Sequence, residues 1–180
     1  MNIAGVIIAG GRSARMGGRE KSFLPLAGQP MLAHVIARLR PQVDGLAINA
    51  NGDPARFAPF SVPVTADRLE TETPLAGLEA AFAWAAEQDA EWLLTVPCDT
   101  PSLPHDLAHR LVPHAPAIAA SSGQAHYLTG LWPVSLHGTL RMAIEQRGMR
   151  AVKHWAAHCQ ATEVAWDALP QDPFRNINTP

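Results

Sequence analysis

Apolar runs too short to be helices alternate with helical patterns along this chain, and that alternation restricts the fold more than any other feature. AGVIIAG (4–10) reads as a buried strand, and PMLAHVIARLR (30–40) follows as a helix with Pro30 suited to its first turn. LAINAN (46–51) and VPVTAD (62–67) read as the second and third strands. TPLAGLEAAFAWAAEQ (73–88) is a long Ala-rich helix, with Thr73 placed to cap it and Pro74 at its first position. EWLLTVPCD (91–99) is a fourth strand, and LPHDLAHRLVPH (103–114) is a helix that Pro113 stops. PAIAAS (116–121) and YLTGLWPV (127–134) continue as strands, VSLHGTLRMAIEQ (134–146) and RAVKHWAAHC (150–159) as helices, and TEVAW (162–166) as a last short strand. No internal repeat, heptad pattern or low-complexity segment interrupts the series. Such a series predicts an α/β domain with a mainly parallel sheet and helices on both faces.

The length of 180 residues fits a single domain, 1–180, and is enough to bury a sizeable core without staples. A formal net charge of -2 argues against binding nucleic acid duplexes, where a strong basic excess is expected. The two cysteines, Cys98 and Cys159, do not make a disulfide framework, which points to a reducing compartment. The opening MNIAGVIIAGG has no basic leader, and its apolar run is too short for a signal peptide or a membrane span. A soluble cytoplasmic protein, with no membrane and no nucleic acid among its partners, is the expectation.

In sheets of this kind ligands bind beyond the carboxyl ends of the strands. The residues expected there are Ala9, Gly10 and Gly11 after the first strand, Asn49 and Asn51 after the second, Asp67 after the third and Asp99 after the fourth. The first of these ends opens the stretch IIAGGRSARMGGREKS (7–22), where four glycines, three arginines and a lysine are opposed by Glu20 alone. Two common phosphate loops fail on spacing. Walker A needs a glycine before Lys21-Ser22, where Glu20 stands, and the dinucleotide pattern needs G-x-G-x-x-G, which Gly10, Gly11, Gly17 and Gly18 do not supply. What remains is a longer loop whose backbone N–H groups can cradle phosphate oxygens while Arg12, Arg15, Arg19 and Lys21 close over them. Lys153 is the only other lysine, so Lys21 stands out as a compact point charge among arginines.

The second chemical stretch is VPCDTP (96–101), a strand-end carboxylate held between two prolines. Magnesium prefers one or two carboxylates plus substrate phosphates, which suits Asp99; a turn cap is the plainer use of the same residue. Cys98 reads as a small buried residue, because no histidine is obviously paired with it. The pairs His105/His109 and His154/His158 have helical spacing but no further zinc ligands at a characteristic spacing. Trp84, Trp92, Trp132, Trp155 and Trp166 sit mostly on apolar faces and read as core.

GVIIAGGRSARMGGREKSFLPLAGQPML (5–32) resembles the signature of nucleotidyltransferases that activate small phosphorylated substrates. Together with INAN, TPLAGL, VPCDTP and the terminal NINTP, the whole chain is similar to bacterial molybdenum cofactor guanylyltransferases. The resemblance implies a three-layer α/β/α Rossmann-like nucleotidyltransferase domain. It implies GMP transfer from GTP to molybdenum–molybdopterin, with release of pyrophosphate and with Mg2+ as cofactor. AGG at 9–11 and TPLAGL at 73–78 resemble the guanylyl-transferring enzymes, whereas cytidylyl-transferring relatives tend to carry Ala-Ala-Gly at the first position.

On that resemblance Ile8, Ala9, Gly10 and Gly11 line the guanine and ribose side, Arg15 and Lys21 reach the phosphates, and Asn49 and Asp67 belong to the nucleotide site. Asp99 holds the metal, Arg15, Lys21 and Asp99 are the catalytic set, and Asn176 and Asn178 of NINTP face the pterin. The stretch SSGQAHYLTGL (121–131) matches the family only loosely, and His126 is its pterin-side candidate. Family members usually continue into an acidic helix after NINTP, where this sequence ends at Pro180. A recipient molybdoenzyme or a chaperone is the protein partner implied. The attacking group is the acceptor's terminal phosphate, already ionised near neutral pH, so no nucleophilic side chain is needed. Cytidylyl transfer to the same acceptor and non-catalytic GTP binding are the remaining readings.

Overall fold

A computed structural model describes residues 1–10, 15–16, 19–70 and 73–177, with the backbone alone at 15, 16 and 19. Gly11 and Asn178 lie outside the described residues, as does the Arg15 side chain. Strand β1 (Ile3–Ile8) is buried at every position, as a strand covered on both faces must be. Two short antiparallel ladders follow, β2 (Arg15–Met16) with β3 (Arg19–Glu20) and β4 (Pro25–Leu26) with β5 (Gln29–Pro30), separated by a 3-10 turn at Lys21–Phe23. Helix α1 (Met31–Leu39) leads to β6 (Gly45–Asn49), and a 3-10 segment, Pro54–Phe60, leads to β7 (Val64–Thr65). Helix α2 (Pro74–Glu87) crosses to β8 (Trp92–Pro97), with Thr73 at its N-cap and Pro74 first in the helix. Then come α3 (Leu107–Leu111), β9 (Ala117–Ser121), β10 (Gln124–Pro133), α4 (His137–Glu145), α5 (Val152–His158) and β11 (Thr162–Trp166).

Seven strands form one sheet in the order β11-β9-β10-β8-β1-β6-β7. Every neighbouring pair is parallel except those of β10, which runs against both β8 and β9. The side chains of β1 alternate between two cores. Ile3 and Ile7 pack with α1 and α3 through Leu32, Val35, Leu107 and Leu111. Val6 and Ile8 pack with α2, α4 and α5 through Leu78, Phe82, Leu140 and Trp155. The expected layered α/β/α architecture with a mainly parallel sheet is therefore present.

Some boundaries differ from the sequence expectation, for local reasons. The helix expected at 103–114 is reduced to α3 and a 3-10 turn at Val112–His114, because Pro104 disfavours helix before it and Pro113 lacks an N–H. The strand expected at 62–67 shortens to β7 at the sheet edge, where Pro63 has no N–H for the ladder. The strand expected at 127–134 begins earlier, at Gln124, since Ser122 and Gly123 both adopt positive φ and join β9 to β10 by a two-residue hairpin. The helix expected from Val134 begins at His137, after a 3-10 turn. Trp132 and Trp155 are fully buried and Trp166 nearly so, in keeping with their reading as core. Among the described residues no helix is long and apolar enough to cross a membrane.

Candidate active site

The chain leaves β1 toward β6 on one side and leaves its other neighbour, β8, toward β9 on the opposite side, so the two connections diverge at the carboxyl ends of β1 and β8 and open a crevice there. A cavity of about 370 Å³ occupies this place. Ile8 and Gly10 border it from the end of β1, and 97–100 from the end of β8. Lys21 enters from the 3-10 turn, Asn176 from the C-terminal segment, and 125–129 from β10. Because β10 is antiparallel, its first residues reach the carboxyl edge of the sheet instead of its last.

Lys21 and Asp99 meet on this wall, Nζ to Oδ2 at 3.1 Å, with side chains only 8% and 12% exposed. The other carboxylate oxygen of Asp99 makes no hydrogen bond among the described residues. One carboxylate with an open oxygen, beside a cation and next to space for phosphates, fits magnesium, which keeps waters and takes the rest of its shell from substrate. No group of three or more His, Cys, Asp or Glu side chains stands ready to cage a metal among the described residues. His105 is instead paired with Arg38, and His158 stacks on Trp155. Burial pushes the Cys98 thiol up to about 11, so it is protonated at neutral pH and is no nucleophile.

Asn49, Asn51 and Asp67 form a second group beside Gly10, off the cavity wall. Asn49 is fully buried; its Nδ2 donates to Asp67 Oδ1 at 2.9 Å and to the Thr65 carbonyl at 3.3 Å. Asn51 Nδ2 donates to Asp67 Oδ2 at 2.8 Å, and the Asp67 N–H returns a bond to Asn51 Oδ1 at 2.9 Å. Both oxygens of Asp67 are thus occupied by amide donors. Asn49 Oδ1 is buried without a partner among the described residues and lies between two glycines. A Cβ on Gly77 would come within 2.6 Å of it, and one on Gly10 within 3.3 Å. Ala9 is also off the wall, its N–H donating to the Asn49 carbonyl at 2.8 Å. Arg56 ties this group to the basic stretch, donating to the Asn51 carbonyl and pairing with Glu20 at 3.4 Å.

The residues expected at the site therefore divide. Ile8, Gly10, Lys21, Asp99 and Asn176 come together on the cavity, while Ala9, Asn49 and Asp67 support it from beside Gly10. Asn176 is delivered by a bond from the Ile177 N–H to the Asp99 carbonyl, 2.9 Å, which docks the C-terminal segment on the end of β8. His126, Thr129 and Thr100 also line the cavity. Of these the sequence by itself singles out His126. Ser121 and Asp172, which hold His126, carry no such mark; the readable signal is the Ser-Gly turn at 122–123, which sets β10 against β9.

The fold around this cavity is the Rossmann-like fold of nucleotidyltransferases. The MobA-like NTP transferase domain model matches residues 5–161. The molybdenum cofactor guanylyltransferase of Rhodopseudomonas palustris (strain BisB5) is 46% identical over 186 residues, covering 97% of this chain and 88% of the relative. That of Acidiphilium cryptum (strain JF-5) is 46% identical over 179 residues, covering 99% and 90%. The solved structure of molybdopterin-guanine dinucleotide biosynthesis protein A from Archaeoglobus fulgidus shares the fold, with a TM-score of 0.67 at 18% identity, over 100% of this chain and 93% of that one. The chain belongs to the MobA-like NTP transferase family, and its relatives named here are molybdenum cofactor guanylyltransferases.

Proposed function

We propose that this chain, acting as one domain over 1–180, transfers GMP from GTP to molybdenum–molybdopterin in the cytoplasm and releases pyrophosphate. The observation that carries the reading is the Lys21–Asp99 pair on the wall of the switch-point cavity, in a chain with guanylyltransferase relatives. An oxygen of the acceptor's terminal phosphate attacks the α-phosphorus of GTP. That bond forms as the bond from the α-phosphorus to the bridging oxygen breaks, and the electron pair leaves with pyrophosphate. The attacking phosphate needs no base, because its second pKa of about 6 leaves it ionised at neutral pH. The protein's work is positioning and stabilising charge.

Ile8, Ala9, Gly10 and Gly11 are assigned to the guanine and ribose side, and Asn49 and Asp67 to shaping that side through Gly10. Lys21, with Arg15, is assigned to the phosphates. Asp99 would hold magnesium, which supplies Lewis-acid stabilisation of phosphate charge when bound. Asn176 and Asn178 are assigned to the pterin side, and a molybdoenzyme or chaperone would receive the product. Pyrophosphate release measured with GTP, CTP and UTP, each with and without the acceptor, tests the reading. Release is expected with GTP only when the acceptor is present. Release with CTP alone among the nucleotides, or GTP binding without turnover, would replace it.

A further inference from the structure

The cavity wall that the phosphate chemistry leaves unused is the opening segment of β10. Its ladder with β9 shifts register between His126 and Gly130, which takes 127–129 out of regular pairing and turns the segment toward the cavity. His126 stands where the irregularity begins. Its Nε2 lies 2.7 Å from Ser121 Oγ, and that oxygen lies 2.8 and 2.9 Å from the two carboxylate oxygens of Asp172. A carboxylate only accepts, so the Ser121 hydroxyl donates its proton to Asp172. Ser121 Oγ must then accept from His126, which puts a ring proton on Nε2; burial lowers the tendency of the imidazole to take a second proton, outweighing the pull of Asp172, and the neutral ring keeps Nδ1 as a lone pair. Phe174 packs against the imidazole with centroids 4.9 Å apart, and its N–H donates to Asp172 Oδ1 at 2.9 Å.

Nothing among the described residues hydrogen-bonds Nδ1. Farther along the segment Thr129 is 1% exposed, and its hydroxyl has no partner among the described residues. A second phosphate would ask for cations here. An acceptor nitrogen and an unpaired hydroxyl suit a ring that presents N–H donors.

We propose that His126, oriented by Ser121 and Asp172, accepts a hydrogen bond from the N–H-bearing heterocycle of the acceptor substrate, with Thr129 as a second contact. The proposal rests on the reading of this chain as transferring GMP to a pterin-bearing phosphate. Ser121 and Asp172 are positioning residues, acting through the imidazole.

Steady-state kinetics with both substrates varied tests it. His126→Ala and Ser121→Ala are expected to raise the acceptor KM about tenfold, the worth of one hydrogen bond, and to leave the GTP KM within about twofold. His126→Asn, whose amide oxygen falls near the place of Nδ1, should restore most of the acceptor affinity. His126→Gln, whose amide nitrogen follows Nε2 toward Ser121, should not. An unchanged acceptor KM in both alanine variants, or equal shifts in both KM values, overturns the proposal. Wild-type protein that releases no pyrophosphate from GTP with acceptor would overturn the functional reading instead. Binding of a free pterin, followed by its own fluorescence, then decides the site directly: weaker binding to His126→Ala supports it and equal binding refutes it.

Discussion

Asp99 lies 3.1 Å from Lys21 with both side chains largely out of water, so each is a structural partner as well as a candidate for the chemistry. Removing one member of such a pair leaves a charge in a poorly solvated place. Asp99→Asn is therefore expected to cost about 3 kcal/mol of stability, the low end for a broken buried pair, because the amide oxygen still accepts from Nζ. It should also lower GTP turnover by about a hundredfold or more. The double variant Lys21→Met with Asp99→Asn separates the two effects: denaturant unfolding should show stability recovered, while pyrophosphate release stays lost. Recovery of activity in the double variant would sink the catalytic assignment. Gly77 supplies a second residue-scale prediction. Alanine there gains about 1 kcal/mol of helix propensity, yet its Cβ would stand 2.6 Å from Asn49 Oδ1. Asn49 is buried and bound to Asp67, so it cannot swing aside without breaking that bond. The two terms roughly offset in stability, so the expected outcome for Gly77→Ala is a nearly unchanged Tm with a raised KM for GTP.

At the scale of elements, β10 does what no other strand of the sheet does. It alone runs antiparallel, and its register shift aims 125–129 at the cavity. The shift ends at Gly130, where a Cβ would meet the Trp132 indole at 2.7 Å. Trp132 is fully buried and its Nε1 donates to Thr95 Oγ1 at 3.1 Å, so the ring has no room to yield. Gly130→Ala should destabilise by about 1–3 kcal/mol through overpacking, read from the denaturant midpoint. The strand's second half was legible in the sequence as the apolar run around Leu128 to Trp132. Its first half was not, because Gln124, Ala125 and His126 form no apolar pattern and a bulge leaves no periodic trace.

The whole molecule decides how the ends of the chain share the site. The Ile177 N–H bonds the Asp99 carbonyl, and Phe174 is 1% exposed between His126 and Trp166. Phe174 thus anchors both the segment carrying Asn176 and the loop carrying Asp172. Phe174→Ala is expected to cost about 3–5 kcal/mol and to speed hydrogen exchange at the Ile177 amide, measured against amides of β1. Protection unchanged at Ile177 would mean that the segment is held by something other than this anchor.

By itself the sequence determined the alternation of strands and helices, the mainly parallel character of the sheet and a strand edge suited to phosphates; the class of chemistry came from its resemblance to a known family. The first three follow from local patterns: apolar runs of strand length, Pro at helix starts, glycines and cations after β1, and an aspartate just beyond β8. Tertiary structure alone decided which strand-end residues line the cavity. Lys21 and Asp99 are 78 positions apart, and Ser121 and Asp172 are 51 apart, separations across which no periodicity carries information. Asn49 and Asp67 looked equivalent to Asp99 as strand-end polar residues. In the fold their side chains are spent on each other, on Asn51 and on the Thr65 carbonyl, off the cavity wall. A strand pattern tells which residues end at the ligand edge; the packing around each end determines whether its side chain meets the ligand or holds up the one that does.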